Sequence, residues 1–331
     1  MTEGPGVRTW QPAPWTAGQL AAAKAGRTVS VVLPALDEEQ TVGLVVTALR
    51  PLTDPDPQTG LPLVDQLIVL DGGSGDRTAE RAAAAGATVV AREAVLPEVP
   101  VLPGKGEVLW RSLAASTGDL VVFADADLVD VDPALVVGLL GPLLTVPGVE
   151  LVKGFYRRPL RLETHELGTG GGRVTELVAR PLLARFAPQL SGVIQPLGGE
   201  YAATRQLLMS LPVAGGYGVE IGLLIDTVRS RGLAAIAQVD LGVRKHRNRN
   251  LLDLGVMAQQ VLATVLARVG IDPAPLPVDL VQYVQQDGVW QARPRRVAIE
   301  DRPPMATLTR SAAEAPAGSA PRHDGRGTIE S

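Results

Sequence analysis

Residues 121–128 read VVFADADL, an apolar run that leads directly into two aspartates separated by one alanine. The run is typical of a buried strand. Alternate residues of an extended segment share a face, so Asp125 and Asp127 can point at the same ligand. Two neighbouring carboxylates disfavour each other's charged form unless a cation or a hydrogen-bond donor offsets the charge. Mg²⁺ bound to a diphosphate would do so, since it takes one or two protein carboxylates together with phosphate oxygens. The alternative is a solvated strand end or a helix cap.

Two further apolar runs, TVSVVL at residues 28–33 and VDQLIVL at 64–70, also end at polar residues. Both lack polar alternation, which is typical of strands in a parallel sheet that is covered on both faces. Strand-like and helix-like segments alternate through at least Val152, and this order predicts a three-layer α/β domain with right-handed crossovers. Ligands of such sheets bind at the carboxyl ends of the strands, where these polar residues fall.

The composition predicts a soluble, cytoplasmic protein with an aliphatic core. Hydrophobic residues make up 46% of the 331 residues and aromatic residues 3%, and the absence of cysteine excludes disulfides and thiolate metal sites. A net charge of −4 argues against general nucleic-acid binding, which needs an excess of Lys and Arg. Glycines and prolines interrupt the apolar run at 135–149, which is too short for a membrane span, and the N-terminus lacks the order of a signal peptide.

Two charged residues lie where a helix is predicted to begin. Lys105, in PGKGE, follows glycines, and its ammonium group and the free N–H groups there could hold a phosphate or a nucleotide carbonyl. The alternative is an ordinary surface lysine. Glu220, in GYGVEIG, is either a cap that complements the helix dipole or a buried functional carboxylate.

Two other segments could bind anions. The stretch THELGTGGGRVTE at residues 164–176 exposes N–H donors before a predicted helix, and Arg173 adds a guanidinium that can bind an anion through two N–H groups. The alternative is that the stretch is a flexible linker. The basic run RKHRNR at 244–249 could neutralise phosphates, or could be a solvated loop. His246 within it could complete a metal shell.

The stretches VSVVLPALDEEQTV, LIVLDGGSGDRT and GDLVVFADADL together resemble the nucleotide-sugar-binding half of GT-A glycosyltransferases, a Rossmann-like sheet flanked by helices. Longer stretches, among them LVKGFYRRPL, QPLGGEYAATR, GYGVEIGLLIDT and LGVRKHRNRN, resemble the glucosyl-3-phosphoglycerate synthase family. The similarity covers roughly residues 22–269, which is far more specific than the two aspartates alone.

The resemblance implies a role for each matching residue. The donor site would be formed by Pro34, Ala35, Leu36, Glu38, Gly72, Lys105, Asp125, Ala126, Tyr217 and Arg249. The acceptor site would be formed by Gly172, Arg173, Val174, Thr175 and Asn248. The metal ligands would be Asp127 and His246, and the catalytic centre would include Leu197, Glu220 and Asp125.

The resemblance also implies a reaction. A retaining glycosyltransferase would move glucose from UDP-glucose to the 2-hydroxyl of D-3-phosphoglycerate with Mg²⁺ or Mn²⁺, as a homodimer without nucleic-acid or membrane partners. Alternatives are a mannosyl-3-phosphoglycerate synthase that uses GDP-mannose, a transferase that acts on a polyprenyl phosphate, and a non-catalytic nucleotide-sugar-binding protein. Asp37 and Gly72 depart from the Asn and Ser that many such enzymes carry.

The expected organisation has four parts. Residues 1–27 form an N-terminal extension, 28–155 the nucleotide-sugar-binding half, and 156–285 an acceptor-binding half with C-terminal helices. Residues 286–331, rich in Pro, Ala, Arg and Ser, are expected to be a disordered tail, because such a segment has too little apolar surface to offset its ordering entropy.

Overall fold

A computed structural model describes residues 6–157, 172–243, 250–271, 277–297 and 299–308. One sheet comprises β1 Arg8–Trp10, β2 Val29–Ala35, β3 Gln66–Asp71, β4 Thr88–Ala91, β5 Leu120–Phe123, β6 Leu151–Arg157, β7 Tyr201–Thr204 and β8 Ile236–Val243. A separate hairpin comprises β9 Val278–Gln286 and β10 Val289–Val297. The α-helices are α1 Ala17–Ala23, α2 Val42–Leu49, α3 Thr78–Ala84, α4 Lys105–Ala115, α5 Ala134–Thr145, α6 Arg180–Phe186, α7 Arg205–Ser210, α8 Val219–Arg231 and α9 Leu251–Arg268. A π-helical turn spans Thr175–Ala179, and 3₁₀ turns span Arg50–Thr53, Arg92–Ala94, Pro188–Leu190, Gly216–Gly218 and Leu233–Ala235.

The strands of the large sheet lie in the order β1-β8-β6-β7-β5-β2-β3-β4. Strand β7 is antiparallel to both of its neighbours, and every other pairing is parallel. Strands β5, β6 and β8 therefore end at the same edge of the sheet as β2 and β3, and β7 begins there. The predicted α/β sheet is confirmed, whereas β7 was not predicted, because YAAT is short and half alanine, a poor strand former.

Alternate residues of each central strand face different helix layers. Val122 packs in the layer with α1, α2 and α5, whereas Val121 and Phe123 pack in the layer with α4, α7 and α8. All three are buried, which explains why the strand carries no polar alternation. The predicted three-layer arrangement is therefore confirmed.

The prediction of a disordered segment from residue 286 is wrong for the part of it that the structure describes. Strand β10 pairs with β9 from Val289↔Gln286 to Val297↔Val278, and residues 299–308 pack on the domain, with Met305 buried. The composition misled because these residues are held by polar contacts and by β pairing more than by apolar burial. Residues 309–331 lie outside the described ranges.

Helix α9 is the one helix among the described residues that is long and apolar enough to cross a membrane, with a mean hydropathy of 1.3. In this structure it packs against α8. It also contacts the hairpin, where Gln282 Nε2 donates to the carbonyl of Leu252 at 3.0 Å. The side chain of Asn250 caps its first turn by accepting from the amide of Asp253. Helix α9 therefore contacts both α8 and the hairpin, and 22% of its residues are buried.

Candidate active site

Lys105, Asp125 and Glu220 form an ion-paired cluster at the edge where the parallel strands end. The Nζ atom of Lys105 lies 2.8 Å from Oδ1 of Asp125 and 3.0 Å from Oε1 of Glu220. Lys105 is the first residue of α4, Asp125 lies two residues beyond β5, and Glu220 lies in the first turn of α8. Three separate elements thus bring together three residues predicted for the donor and catalytic site.

The cluster is electrostatically ordered, because its cation sits between two anions. Burial alone would lower the pKa of Lys105, but the charges of Asp125 and Glu220 outweigh it and raise that pKa well above its usual value. The two carboxylates therefore favour the charged form of Lys105. The side chain of Glu220 is 4% exposed and that of Asp125 is 24% exposed, so Asp125 offers the open side of the cluster.

The segment before β7 closes the cluster from one side. A Cβ atom added to Gly199 would lie 2.5 Å from both carboxylate oxygens of Asp125 and 2.5 Å from Nζ of Lys105. Only glycine allows the backbone to approach so closely. Leu197, predicted at the catalytic centre, lies two residues earlier, partly buried against the α4 and α8 layer.

The loops that follow β2 and β3 are tied together at the same edge. The backbone amide of Gly72 donates to the carbonyl of Ala35 at 2.8 Å, and that of Glu38 donates to Oγ1 of Thr78 at 2.7 Å. Leu36 is 57% exposed and therefore free to contact a ligand. The predicted donor residues Pro34, Ala35, Leu36, Glu38 and Gly72 thus lie together at this edge, with Ala35 and Gly72 buried and Leu36 exposed, and their contact with a nucleotide stays a prediction.

Asp37 has a structural role at this surface. Its backbone, at φ +56°, donates to Oγ of Ser74 at 3.0 Å, and its Oδ1 accepts from the amide of Gly75 at 2.8 Å. Aspartate tolerates this left-handed conformation better than most residues. The departure from Asn at this position therefore retains an acceptor that fixes the loop after β3.

The residues around Asp127 fit a divalent cation that a substrate helps to hold. Asp127 is partly exposed just beyond β5 and offers hard oxygen donors, which suit Mg²⁺ or Mn²⁺. No group of three or more His, Asp or Glu that could hold a metal occurs in the described ranges. Fewer than three protein ligands are enough where phosphate oxygens complete the coordination shell. His246 lies outside the described residues, as do Asn248 and Arg249, but β8 ends at Val243 on the same sheet edge.

The predicted acceptor residues mark the start of a helical segment. The carbonyl of Gly172 accepts from the amide of Glu176 at 3.1 Å, while Arg173 is exposed and Val174 and Thr175 are buried. Thr175 begins the π-helical turn, a distortion that often occurs at functional sites. The exposed guanidinium suits an anion, and its role in acceptor binding stays a prediction.

Sequence reasoning missed a buried lysine close to the cluster. Lys153, in β6, is 1% exposed, donates to the carbonyl of Gly198 at 2.5 Å and lies 4.8 Å from the ring centroid of Tyr201. Burial lowers the pKa of Lys153 to about 8, against the attraction of Glu220 and Glu200. The same burial raises the pKa of the Tyr201 phenol. The available signal was a lysine inside an otherwise apolar strand.

This fold and site define a nucleotide-sugar glycosyltransferase of the GT-A class. No family model matches the chain. It is 60% identical over 300 residues to the glucosyl-3-phosphoglycerate synthase of Mycolicibacterium smegmatis, covering 91% of this chain and 96% of that protein. The chain belongs to the glucosyl-3-phosphoglycerate synthase family, and the predictions of family, fold class and enzyme are confirmed.

Solved structures of the glucosyl-3-phosphoglycerate synthase from Mycobacterium tuberculosis are similar to this chain over nearly their whole length. One, in complex with Mn²⁺, UDP-glucose and phosphoglyceric acid, has a TM-score of 0.80 and 56% identity over 92% of this chain and 99% of that chain. Another, with Mg²⁺ and UDP, has a TM-score of 0.82 and 56% identity over 91% and 99%.

Proposed function

We propose that this protein transfers glucose from UDP-glucose to the 2-hydroxyl of D-3-phosphoglycerate with retention at the anomeric carbon, giving glucosyl-3-phosphoglycerate. The observation that carries the proposal is the Lys105–Asp125–Glu220 cluster, placed at the strand ends beside the loops that follow β2 and β3. The related M. tuberculosis enzyme binds UDP-glucose and phosphoglyceric acid, which supports this donor and this acceptor.

The donor would lie across the carboxyl edge of the sheet. Residues 34–38 and Gly72 would hold the uracil and ribose, while Lys105 would neutralise charge near the diphosphate. Asp127 and His246 would hold Mg²⁺ or Mn²⁺, a Lewis acid that supports negative charge on the leaving diphosphate.

The acceptor would be oriented by groups on the other side of the cluster. Arg173 and the backbone N–H groups of residues 172–175 would bind the phosphate or carboxylate of 3-phosphoglycerate, with help from Asn248. Fixing the acceptor hydroxyl near the anomeric carbon lowers the barrier by orientation. Leu197 and Tyr217 would border the sugar.

Retention is consistent with front-side attack in which the departing phosphate takes the proton of the acceptor hydroxyl. The carboxylate of Glu220 is buried and paired with Lys105 at 3.0 Å, which lowers its nucleophilicity. A double-displacement route needs an accessible nucleophile opposite the leaving group. The pairing therefore favours a role for Glu220 in orienting Lys105 and the sugar.

One experiment tests donor, acceptor and metal together. UDP-glucose, GDP-glucose and GDP-mannose are each combined with 3-phosphoglycerate and 2-phosphoglycerate, with and without EDTA, and the anomeric configuration of any product is read by NMR. We expect turnover with UDP-glucose and 3-phosphoglycerate, loss of turnover with EDTA, and its return with Mg²⁺ or Mn²⁺. Preference for GDP-mannose would instead identify a mannosyl transferase, and binding without turnover a non-catalytic protein.

We also propose that the protein is a cytoplasmic homodimer. Residues 281, 283, 285 and their partners 294, 292 and 290 share the outer face of the hairpin, where Val281, Tyr283 and Trp290 are 47%, 62% and 66% exposed. Apart from the exposed Asp279–Arg296 pair at one end of the hairpin, this face is uncharged, and its exposed apolar side chains suit a second copy of the same face. The polar residues 309–331 offer little apolar surface to cover it.

Light scattering tests the dimer. We expect a dimer for the wild-type chain and a monomer for the double variant Tyr283→Ser, Trp290→Ser. Unchanged mass in this variant would contradict the proposed interface.

A further inference from the structure

A buried carboxylate in α4 is held from two directions. Glu107 is 2% exposed; its Oε1 lies 2.6 Å from Nε of Arg111, and its Oε2 lies 2.5 Å from Nε of Arg302. Nη2 of Arg302 donates to Oε1 at 2.9 Å, so the guanidinium binds both carboxylate oxygens. Burial would raise the pKa of Glu107, but the hydrogen bonds from Arg302 and Arg111 outweigh it and lower that pKa. Glu107 is therefore an anion that depends on its two arginines.

Residues 299–308, which contain Arg302, are here named the C-terminal strap. Arg302 forms a two-way backbone bridge with Val213, with N···O distances of 2.8 and 3.0 Å. A Cβ atom added to Gly215 would lie 2.7 Å from the carbonyl oxygen of Glu300. The strap therefore contacts the turn before α8 as closely as backbones allow.

The strap also contacts α4 at Trp110, three residues after Glu107. Trp110 Nε1 donates to the carbonyl of Pro303 at 2.9 Å, and the guanidinium of Arg302 lies 4.9 Å from the Trp110 ring centroid. Asp301 pairs with Arg268 of α9 at 2.5 Å. One short segment thus ties α4, α9 and the turn before α8 together.

The strap covers the turns that precede α4 and α8. These turns lead directly to Lys105 and Glu220 of the ion-paired cluster. A Cβ atom added to Gly104, just before Lys105, would lie 2.9 Å from the Cα of Gly216, four residues before Glu220. These turns touch each other, so a shift of one relative to the other would change the 3.0 Å pairing of Lys105 with Glu220.

Arg302 contacts α4 on the side opposite the ion-paired cluster. Lys105 and Glu107 are two residues apart on a helix, which places them about 200° apart around its axis. Lys105 points to the cluster and Glu107 to the strap, so Arg302 contacts α4 on the side away from the donor.

We propose that the C-terminal strap sets the position of α4 relative to α8, and that Arg302 is a positioning residue for donor binding through Glu107 and Lys105. The inference rests on the proposed donor role of Lys105. It goes beyond that role because the strap lies outside the sequence stretches that carry the family resemblance.

The test compares three full-length variants. Arg302→Met removes the guanidinium that binds both oxygens of Glu107, and Arg302→Lys keeps a cation without that two-point contact. Arg295→Met removes a surface ion pair between the hairpin and Asp253 of α9. For Arg302→Met we expect the KM for UDP-glucose and the Kd for UDP to rise about tenfold, because a charge-assisted bidentate contact is lost. The KM for 3-phosphoglycerate should stay within about twofold. Arg302→Lys should recover part of the loss, and Arg295→Met should match the wild type.

A merely structural role would give a different pattern. Equal rises in both KM values, or a lower melting temperature with unchanged KM values, would overturn the inference. Trp110→Phe, which removes one hydrogen bond to the strap, asks the same question if Arg302→Met does not fold. In parallel, Lys105→Met should raise the Kd for UDP. If the Kd for UDP is unchanged in Lys105→Met but raised in Arg302→Met, the donor role of Lys105 is refuted. The strap would then affect donor binding through residues other than Lys105.

Discussion

Lys105 and Glu220 face each other across two helix N-termini, with 3.0 Å between Nζ and Oε1. Glu220 lies in the first turn of α8, where the helix dipole favours an anion, whereas Lys105 begins α4, where the dipole disfavours a cation. The two carboxylates of Asp125 and Glu220 compensate for that unfavourable placement. A cation is thereby held at a helix start that would otherwise attract phosphate through its N–H groups alone.

Replacing Lys105 with methionine should damage both activity and stability. The change leaves Glu220 buried without its cation, and breaking a buried pair from one side typically costs about 3–5 kcal/mol. We expect kcat/KM for UDP-glucose to fall at least about a hundredfold, equivalent to about 2.7 kcal/mol. Steady-state kinetics and urea unfolding of the same preparation measure the two effects. The double variant Lys105→Met, Glu220→Gln should regain stability but not activity, and a stable, active single variant would contradict the role of the pair.

Gly199→Ala should abolish most activity while its neighbour tolerates the same change. The new Cβ atom at 199 would lie 2.5 Å from the oxygens of Asp125 and from Nζ of Lys105, so one of these groups must move. At Gly198 the nearest atoms to a new Cβ are carbonyl oxygens at 3.4 Å, an ordinary contact. We expect a loss in kcat of about a hundredfold or more for Gly199→Ala. Gly198→Ala is the matched control and should stay within about threefold. Equal activities would show that the approach of residue 199 is not needed.

The sequence predicted the first strands of the sheet and their ends well because these signals are local. Apolar runs that end on Asp71 and Asp125 identify strands and their carboxyl ends without any knowledge of distant contacts. Lys105 and Glu220 could be named as candidates, but their pairing could not be derived, since it depends on how two crossovers bring α4 and α8 together. Tertiary packing, not local preference, fixes that distance.

The sequence failed where long-range polar contacts replace apolar burial. Arg302 lies in a stretch rich in Pro and Arg, yet its guanidinium binds both carboxylate oxygens of Glu107 and holds that stretch against the domain. Composition measures apolar content and cannot register one buried carboxylate 195 positions away in the chain. Lys153 was missed for a related reason, because a single lysine within a strand pattern shows neither its depth nor its partner.

Arg173→Ala should separate acceptor binding from donor binding. The exposed guanidinium at the start of the helical segment is expected to bind an anionic group of 3-phosphoglycerate, a contact worth about 1.5–3 kcal/mol. The KM for 3-phosphoglycerate should therefore rise at least about tenfold, while the KM for UDP-glucose stays within about twofold. Two-substrate steady-state kinetics measure both values. Arg185→Ala, in the last turn of α6, is the control. A larger change in the donor KM would refute the acceptor role.

Lys153 should make the stability of the protein rise with pH in an alkaline window. Its pKa is about 8 in the folded chain and 10.5 in the unfolded chain, so between these values the unfolded state binds more protons. The free energy of unfolding should therefore increase as the pH rises from about 8 to about 10, by about 1.4 kcal/mol per unit at most. Below pH 8 both states are protonated and the cost of burying the charge is constant. Urea unfolding of the wild type and of Lys153→Met at pH 7, 8, 9 and 10 isolates this effect, since methionine fills similar space and does not titrate. The difference between the two proteins should move in favour of the wild type with rising pH, and a constant difference would show that Lys153 keeps its proton throughout the window.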